Sequence, residues 1–315
     1  MPDSMKRLVV LAVAAGGLLA GCASGGGGGS VPEGASRMVP SPDFMKPGEE
    51  RTFRVTYTGK VKDVPAGAKM LRVWMPVPRD TPLQSIRGVE FSAPAPAVHS
   101  DERFGNRYAY YEIANPTPAM EFTMAFTCTR RELLTDLPGL AAAGEGAESD
   151  PAAATFRKDD RLTIVDNRIR SMADQICFGK ATTMEKARAI YDYVAGHMTY
   201  DKTGTGWGRG DTNFACDAGK GNCTDFHALF MSLCRAEGIS AGFEIGLYAP
   251  YAKHSEDKLG GYHCWSYFRV PGRTWVPVDI SEADKNPDRM EYFFGGHTDN
   301  RVTMSVGRDL VLVSA

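Results

Sequence analysis

The feature that most constrains this chain is one amphipathic segment, Asn222 to Gly238, that predicts a helix packed inside a core. Four apolar residues recur at the spacing of a single helix face: Phe226, Leu229, Phe230 and Leu233. Asn222 is a favourable N-cap, and Asp225 suits the positive first turn. Gly238 suits the left-handed residue that ends a helix. A helix with such a face has to be buried, so the chain folds around it as a globular protein.

Cys223 would occupy the first position of this helix, which is a chemically active place for a thiol. Unpaired backbone N–H groups and the helix dipole favour a thiolate there, and the same groups can receive a developing oxyanion. Gly219 and Gly221 allow the chain to turn sharply and leave the thiol accessible. The alternative is a neutral core cysteine, a description that fits Cys177 and Cys234 better because both lie on apolar helix faces.

A predicted hairpin after this helix carries a base and an orienting carboxylate. Strands are indicated at 262–270 and 274–280, and Pro271-Gly272-Arg273 joins them. His263 and Asp279 are symmetric about residue 271, which predicts that they are cross-strand neighbours. A bulge would shift the register by one residue and keep the imidazole–carboxylate contact. A nucleophilic thiol needs such a pair, although a His opposite an Asp is also an ordinary structural pair.

Three sequence blocks, in the order Cys, His, Asp, together resemble the transglutaminase-like superfamily. They are Gly221-Asn222-Cys223-Thr224-Asp225-Phe226-His227, Gly261-Tyr262-His263-Cys264-Trp265 and Trp275-Val276-Pro277-Val278-Asp279. The resemblance covers about residues 160–310. It implies a papain-like α+β core, in which a helix carrying the catalytic Cys223 packs on an antiparallel sheet carrying His263 and Asp279. One departure is Ser240 after Ile239, where many members have a proline, and it concerns a turn.

Other side chains are weaker candidates for the site. Tyr200 and Trp207, upstream in a glycine-rich stretch, are candidates to line the site or to donate to an oxyanion. His227 either tunes the thiol or is a buried, hydrogen-bonded histidine. No metal is expected, because the chain has no C-x-x-C pair, and adjacent strand residues such as His263 and Cys264 point opposite ways. No nucleotide fingerprint is present, so no cofactor is expected.

The chain before the helices has the pattern of a small β-sandwich, predicted over residues 49–135. Three runs alternate clearly: Thr52–Tyr57, Met70–Met75 and Glu121–Phe126. Turn residues separate them, and no helical period intervenes. Residues 136–157, rich in Ala, Gly and Pro, are predicted to link the sandwich to a catalytic domain at 158–315. The predicted fold class is therefore α+β, with the papain-like core preceded by a β-sandwich domain.

Two further helices are predicted between the linker and the central helix. Apolar residues over Arg161–Cys177 recur close to helical spacing, and Thr182 with Glu185 has the spacing of a capping box. The stretch from Gly204 to Gly221 is rich in Gly and Asp and is predicted to be irregular.

Residues 1–22 have the pattern of a bacterial lipoprotein signal peptide. Two basic residues precede an apolar run of 13 residues, Leu8 to Ala20, which is shorter than the about 20 that span a bilayer. Leu19-Ala20-Gly21-Cys22 resembles a lipobox, so Cys22 is predicted to carry the lipid anchor. The alternative is an ordinary signal peptide with an incidental cysteine. Residues 23–48, with consecutive glycines and several prolines, are predicted to be a flexible tether.

The predicted location and partners follow from this signal and from the charge. Ala23 and Ser24 follow the lipobox cysteine, and the absence of an Asp there favours the periplasmic side of the outer membrane over inner-membrane retention. The net charge of −2 without a basic block argues against nucleic acid. The expected partner is a protein or peptide substrate of the cell envelope, and no oligomeric state is indicated. An exported chain permits disulfides, and with one catalytic thiol at most two could form among the six cysteines after Cys22.

Together these observations predict a membrane-anchored cysteine enzyme that transfers acyl groups from amides through a thioester. The sequence does not choose between water and an amine as acceptor, whereas the family resemblance favours water and hence a peptidase or amidase. One alternative is a non-catalytic binding lipoprotein with a vestigial triad. Another is a structural metalloprotein, which the missing ligand pairs disfavour.

Overall fold

The structure is a computed structural model that describes residues 35–251 and 261–312. The predicted signal peptide, the lipidation residue Cys22 and the first part of the predicted tether lie outside these residues. Among the described residues, no helix is both long enough and apolar enough to cross a bilayer.

The first part of the described chain is made almost entirely of strands. They are β1 (Met45–Lys46), β2 (Glu50–Val61), β3 (Met70–Val77), β4 (Gln84–Phe91), β5 (Ala97–Ser100), β6 (Arg107–Ala114), β7 (Met120–Arg131) and β8 (Leu133–Thr135). Antiparallel pairing joins six of them into two three-stranded sheets, β2-β7-β4 and β3-β6-β5, and β1 pairs separately with β8. The buried side chains of both sheets share one apolar core, in which Met124 and Phe126 are fully buried. The predicted β-sandwich is confirmed.

The rest of the described chain mixes helices with strands. Its helices are α1 (Leu137–Ala143), α2 (Ala152–Phe156), α3 (Asn167–Ile176), α4 (Thr183–His197), α5 (Thr212–Ala218), α6 (Cys223–Ala236), α7 (Ile280–Lys285) and α8 (Met290–Phe293). Its strands are β9 (Thr199–Tyr200), β10 (Lys220–Gly221), β11 (Ala241–Tyr248), β12 (Tyr262–Val270), β13 (Thr274–Val278), β14 (Gly296–His297) and β15 (Arg301–Val306).

A four-stranded antiparallel sheet, in the order β13-β12-β11-β15, is the platform of this second part. Helices α3, α4 and α6 pack with one face of it in a single apolar cluster that includes Phe230 and Phe268. From the same sheet, Leu247, Val302 and Met304 belong to the core of the β-sandwich. The α+β fold predicted from the sequence is confirmed, with the central helix against an antiparallel sheet.

The central helix α6 forms where its capping residues predict, and every residue from Cys223 to Arg235 is buried. The Asn222 side chain accepts a hydrogen bond from Thr224 N at 2.9 Å, and the Asp225 carboxylate accepts one from Asn222 N at 3.0 Å. Together they satisfy backbone donors that the helix itself leaves unpaired. Gly238 has the left-handed φ of 74° that stops the helix.

Two of the local predictions differ from the structure. The helix predicted from Arg161 begins only at Asn167, because Asp166 caps it by accepting from Ile169 N at 2.9 Å. The stretch from Gly204 to Gly221 is not wholly irregular, since it contains α5, which Asp211 caps in the same manner. The capping box of Thr182 and Glu185 at the start of α4 is confirmed.

The predicted tether is wrong for its second half, which packs onto the body. Met38 is 5% exposed and lies in a cluster with Phe156, Trp265 and Trp275. Strand β1 pairs with β8, where Met45 is opposite Thr135. Gly and Pro are abundant over residues 23–48 as a whole, and this composition led to the prediction of a flexible tether. The few apolar side chains of its second half, such as Met38, are what dock it.

Residues 136–157, predicted as a linker, form α1 and α2 with loops around them. Leu140, Ala153 and Phe156 are buried in this stretch. The segment does connect the sandwich to the helices, and it does so as packed structure. The predicted domain boundaries stay predictions.

Candidate active site

Cys223, His263 and Asp279 meet at one end of the four-stranded sheet. Cys223 is the first residue of α6, His263 is the second residue of β12, and Asp279 follows the last residue of β13. Because β12 and β13 run antiparallel, the start of β12 and the end of β13 lie at the same end of the sheet. The fold thus assembles the three residues that the sequence selected.

The imidazole of His263 and the carboxylate of Asp279 are in contact, with Nε2 and Oδ2 2.7 Å apart. The hairpin is centred on Gly272 and not on residue 271, so the predicted pairing is wrong by two residues: Ser266 is opposite Val278. Strand β13 ends at Val278, so Asp279 lies just beyond the ladder, where it caps α7 by accepting from Glu282 N. The contact survives because the backbone turns into α7 beside the start of β12. With Nε2 engaged, the other ring nitrogen of His263 is left for Cys223.

The electrostatics favour a thiolate–imidazolium pair. Hydrogen bonds from the Cys264 thiol and from His263, with the charge of His263, hold the pKa of Cys223 well below its usual value despite burial. Burial lowers the pKa of His263, but the charge of Asp279 and its hydrogen bond outweigh this and raise it to about 9. Between these two values the sulfur is a nucleophile and the imidazole is charged. The prediction that the thiol is accessible is wrong, because Cys223 is 2% exposed.

Asp279 has a second cationic partner, Arg301, which the sequence analysis missed. Arg301 Nη1 donates to the same Oδ2 at 3.0 Å, and both side chains are fully buried. Burial raises the pKa of Asp279, but the charges of His263 and Arg301 hold it well below its usual value. The signal in the sequence is slight, because an Arg at the start of a strand gives no sign that it is buried.

His227 ties the start of α6 to the start of α7. Its Nδ1 lies 2.7 Å from the carbonyl oxygen of Cys223, and its Nε2 lies 3.1 Å from the amide nitrogen of Ile280. Nδ1 is therefore the donor and Nε2 the acceptor, which is the neutral tautomer, and burial lowers the pKa of His227 accordingly. This geometry is that of a buried, hydrogen-bonded histidine, and it fixes Cys223 relative to Asp279.

Cys264 is a further neighbour of the thiol that the sequence analysis did not place there. Its Sγ lies 3.6 Å from Thr224 Oγ1 and hydrogen-bonds to Cys223, and burial raises its pKa well above the usual value. Alternation along a strand predicts that His263 and Cys264 point opposite ways, but both hydrogen-bond to Cys223 at the start of β12. The described part of the chain holds no group of three or more His, Cys, Asp or Glu side chains placed to bind a metal.

The two aromatic candidates differ in position. Tyr200 pairs with Gly221 in the short β9–β10 ladder, and burial and the charge of Cys223 raise its pKa to about 12. It is therefore a neutral donor near the thiol at physiological pH. The indole N–H of Trp207 donates to Gly204 O at 3.2 Å, so it is engaged within its own loop.

Residues 170–280 match the family described as the transglutaminase-like superfamily. An uncharacterized protein of Haemophilus influenzae is 28% identical over 178 residues, which are 47% of this chain and 48% of that protein. The chain therefore spans about half the length of that relative.

Two solved structures are similar to the described fold. The crystal structure of a candidate cysteine protease from Cytophaga hutchinsonii has a TM-score of 0.60 at 17% identity and covers 84% of each chain. The periplasmic domain of TgpA from Pseudomonas aeruginosa has a TM-score of 0.42 at 14% identity, covering 82% of this chain and 78% of that one. The first of these supports the fold of nearly the whole described chain.

Proposed function

We propose that this chain, which belongs to the transglutaminase-like superfamily through residues 170–280, is an envelope enzyme that cleaves amide bonds through a thioester on Cys223. The observation that carries the proposal is the buried contact of 2.7 Å between His263 and Asp279, beside a cysteine at a helix N-terminus. Within the broader class of cysteine-type enzymes of this superfamily, we propose the reaction, the roles of the three residues and the substrate.

The proposed chemistry uses each group where the fold puts it. The Cys223 thiolate attacks the amide carbonyl, and a C–S bond forms as the carbonyl becomes an oxyanion. The His263 imidazolium gives its proton to the leaving amine as the C–N bond breaks, which yields the thioester. Neutral His263 then takes a proton from water, which attacks the thioester and releases the acid and the thiolate. Asp279 keeps the imidazole oriented and stabilises its charge.

Stabilisation of the oxyanion is proposed to come from the start of α6 and from Tyr200. The N–H groups of Thr224 and Asp225 are held by Asn222, so the donor proposed from this helix start is the N–H of Cys223 itself. The Tyr200 hydroxyl keeps its proton at neutral pH, since its pKa is about 12. Trp207 is not assigned this role, because its N–H is held by Gly204 O.

We further propose that Cys22 is lipid-modified and holds the enzyme at the periplasmic side of the outer membrane. The support is the sequence of the first 22 residues, which the structure does not describe. Labelling cells with a fatty-acid analogue should mark the wild type and not Cys22→Ser. Equal labelling of both would remove the anchor, and fractionation of the cells tests which membrane holds it.

The test of the reaction is trapping of the thioester. The purified protein is incubated with envelope extracts and the peptide containing residue 223 is examined by mass spectrometry. Acyl adducts are expected on the wild type and on Cys216→Ala, a matched removal of another buried thiol, but not on Cys223→Ala. Absence of adducts together with absence of Cys223-dependent cleavage would favour the alternative, a binding lipoprotein with a vestigial triad.

The acceptor is tested by competition between water and a labelled primary amine. We expect release of free acid to dominate, as the family resemblance of the motif blocks favours hydrolysis. Incorporation of most of the label into protein would instead make the chain a cross-linking transglutaminase, with the same residues in the same roles.

A further inference from the structure

A second cluster of buried charge lies away from the thiol, where the N-terminal segment, the β-sandwich and the four-stranded sheet meet. Three arginines, Arg37, Arg79 and Arg130, line one small cavity there, and Glu244 is the one carboxylate that lines it. Arg79 is 8% exposed and Arg130 1% exposed. The cluster has no part in the proposed reaction.

The guanidinium groups in this cavity are incompletely satisfied. Arg79 Nη1 and the Nε and Nη2 atoms of Arg130 are buried and have no hydrogen-bond partner among the described residues. The partners that Arg130 does have are neutral, since its Nη1 lies 3.2 Å from Thr303 Oγ1 and 3.4 Å from Gln84 Oε1. Buried donors on a cation are costly to leave unpaired, so an acceptor is required.

The two nearby carboxylates, Glu244 and Asp101, make no hydrogen bond to these arginines in the described part of the chain. Glu244 Oε2 accepts from the Trp265 indole at 2.8 Å and from Thr303 Oγ1 at 3.1 Å, and it makes no ion pair with an arginine in the described chain. Asp101 lies close enough to act on Arg79, but its two oxygens accept from the amides of Phe104 and Asn106. The positive charge of the three guanidinium groups therefore exceeds the negative charge around them.

We propose that this cavity binds one small monovalent anion of the halide class, for which chloride is the natural example. The cavity volume is about 30 Å³. A space of this size suits one small ion or a few waters. An anion satisfies the free N–H groups with charge-assisted hydrogen bonds and offsets the excess charge, neither of which water does fully.

The site requires charged arginines, and a guanidinium keeps its proton in proteins even where burial lowers its pKa, as it does for Arg130. Burial and the neighbouring charge of Arg37 lower the pKa of Arg79 to about 10, still well above neutral pH. Arg37 belongs to the docked N-terminal segment, Arg79 and Arg130 to the β-sandwich region, and Glu244 and Thr303 to the four-stranded sheet. A bound anion would hold these three parts of the molecule together.

The test uses bromide, because its anomalous scattering distinguishes it from water. Crystals of the whole protein are grown or soaked in sodium bromide, and a peak is expected between Arg79 and Arg130. In solution, Tm should rise with chloride or bromide and level off, by about 2–4 °C, compared with gluconate at equal ionic strength. Gluconate is too large for the cavity.

The matched variants are Arg79→Met and Arg87→Gln, the latter an exposed arginine of β4. Arg79→Met should abolish the dependence of Tm on halide, and Arg87→Gln should keep it. A cavity with water density only, or equal Tm in chloride and gluconate for the wild type, overturns the proposal. The bromide measurement needs no variant, so it decides the question even where Arg79→Met fails to fold.

Discussion

At the scale of single residues, the described site is a chain of shared hydrogen bonds that ends in a buried arginine. Cys223 meets His263, His263 meets Asp279, and the same Asp279 oxygen accepts from Arg301. Arg301 competes with His263 for the carboxylate, so Asp279 divides its charge between two cations. The position of Arg301 predicts that structural and catalytic roles of Asp279 can be separated experimentally.

Asp279→Asn keeps the size of the side chain and offers an N–H where His263 and Arg301 need an acceptor. We expect turnover to fall by about 10²–10⁴-fold and the alkylation of Cys223 near pH 7 to slow, because the imidazolium loses its counter-charge. The free energy of unfolding should also fall, by about 1–3 kcal/mol, since a buried hydrogen-bond network is disrupted. Turnover, the rate with iodoacetamide and Tm are measured on the same preparation.

Arg301→Met is the control for that experiment. It removes the ion pair with Asp279 and leaves the carboxylate for His263, so stability should fall while alkylation of Cys223 stays fast. A large drop in Tm for Asp279→Asn with an unchanged alkylation rate would mean that Asp279 is only a structural partner of His263.

Activity should have a bell-shaped dependence on pH. It rises with pH as Cys223 loses its proton, which happens well below the usual thiol pKa, and it falls through about pH 9 as His263 loses its own. Other thiols stay protonated over this range, since burial raises the pKa of Cys177 and of Cys128 to about 11. Peptide mapping after brief alkylation at pH 7 should find Cys223 modified first. Modification of Cys177 before Cys223, or an enzymatic activity that climbs steadily through pH 9, would contradict the ion pair of Cys223 and His263.

At the scale of elements, the start of α6 is held from two sides by Asp225. Its carboxylate accepts from the amides of Gly208 and Gly210, at 2.6 and 3.0 Å, in addition to Asn222 N. The glycine-rich loop before the helix is thereby fixed beside Cys223. Burial raises the pKa of Asp225, so this carboxylate is retained at some cost in solvation.

Gly221→Ala tests how closely this loop packs. A Cβ at Gly221 would overlap the Asp225 carboxylate, so the carboxylate would have to leave the amides that it binds. We expect a loss of about 1–3 kcal/mol of stability and slower alkylation of Cys223. Gly196→Ala in α4 is the matched control, because a Cβ there meets no atom within 4 Å and should add about 0.5–1 kcal/mol. Equal Tm for the two variants would show that the Asp225 contacts are unimportant.

The elements that the sequence predicted are those whose signals are local. The cap at Asn222, the apolar face of α6 and the stop at Gly238 lie within one segment, so the helix and the place of Cys223 were accessible. The centre of the hairpin was predicted one residue too early, at 271 in place of Gly272, which puts the pairing out by two residues, because alternation alone does not set the turn geometry. Helix α5 was missed because its glycine-rich surroundings resemble a loop.

Long-range contacts are what the sequence could not supply. Two contacts of the site depend on how strands approach the start of α6. Arg301 reaches Asp279 through the position of β15, and Cys264 reaches Cys223 through the position of β12. No nearby residue signals either contact. The docking of Met38 likewise depends on Phe156 and Trp275, far away in the chain.

At the scale of the whole molecule, the β-sandwich and the four-stranded sheet are joined by side-chain amides that hydrogen-bond to the backbone of β15 as a neighbouring strand would. Gln84 bonds both the N–H and the C=O of Thr303 at 2.9 Å. Asn106 does the same with Val306, at 2.7 and 2.8 Å. With Val302 packed in the sandwich core, the two parts bury surface that neither could cover alone.

We therefore expect the protein to unfold in one cooperative transition. Asn106→Ala should lower the Tm of that single transition, at a cost of about 1–3 kcal/mol for two unpaired buried groups, and should not split it. Calorimetry measures this, with equal calorimetric and van't Hoff enthalpies as the criterion. Two separate transitions in the wild type would mean that the sandwich and the helical part are independent.

The docked N-terminal segment also determines how the molecule would bear a mechanical load. If Cys22 is the anchored position, tension enters the described residues from their N-terminal side and acts first on Met38 and on the pairing of β1 with β8. Strand β8 passes the load to β14, so α6 and β12 are not in the direct line. Pulled by its two ends, the chain should lengthen first by about 35–40 Å, as residues 36–46 peel away, before the sheets rupture. A single rupture without that first step would mean that the segment is no weaker than the sheets.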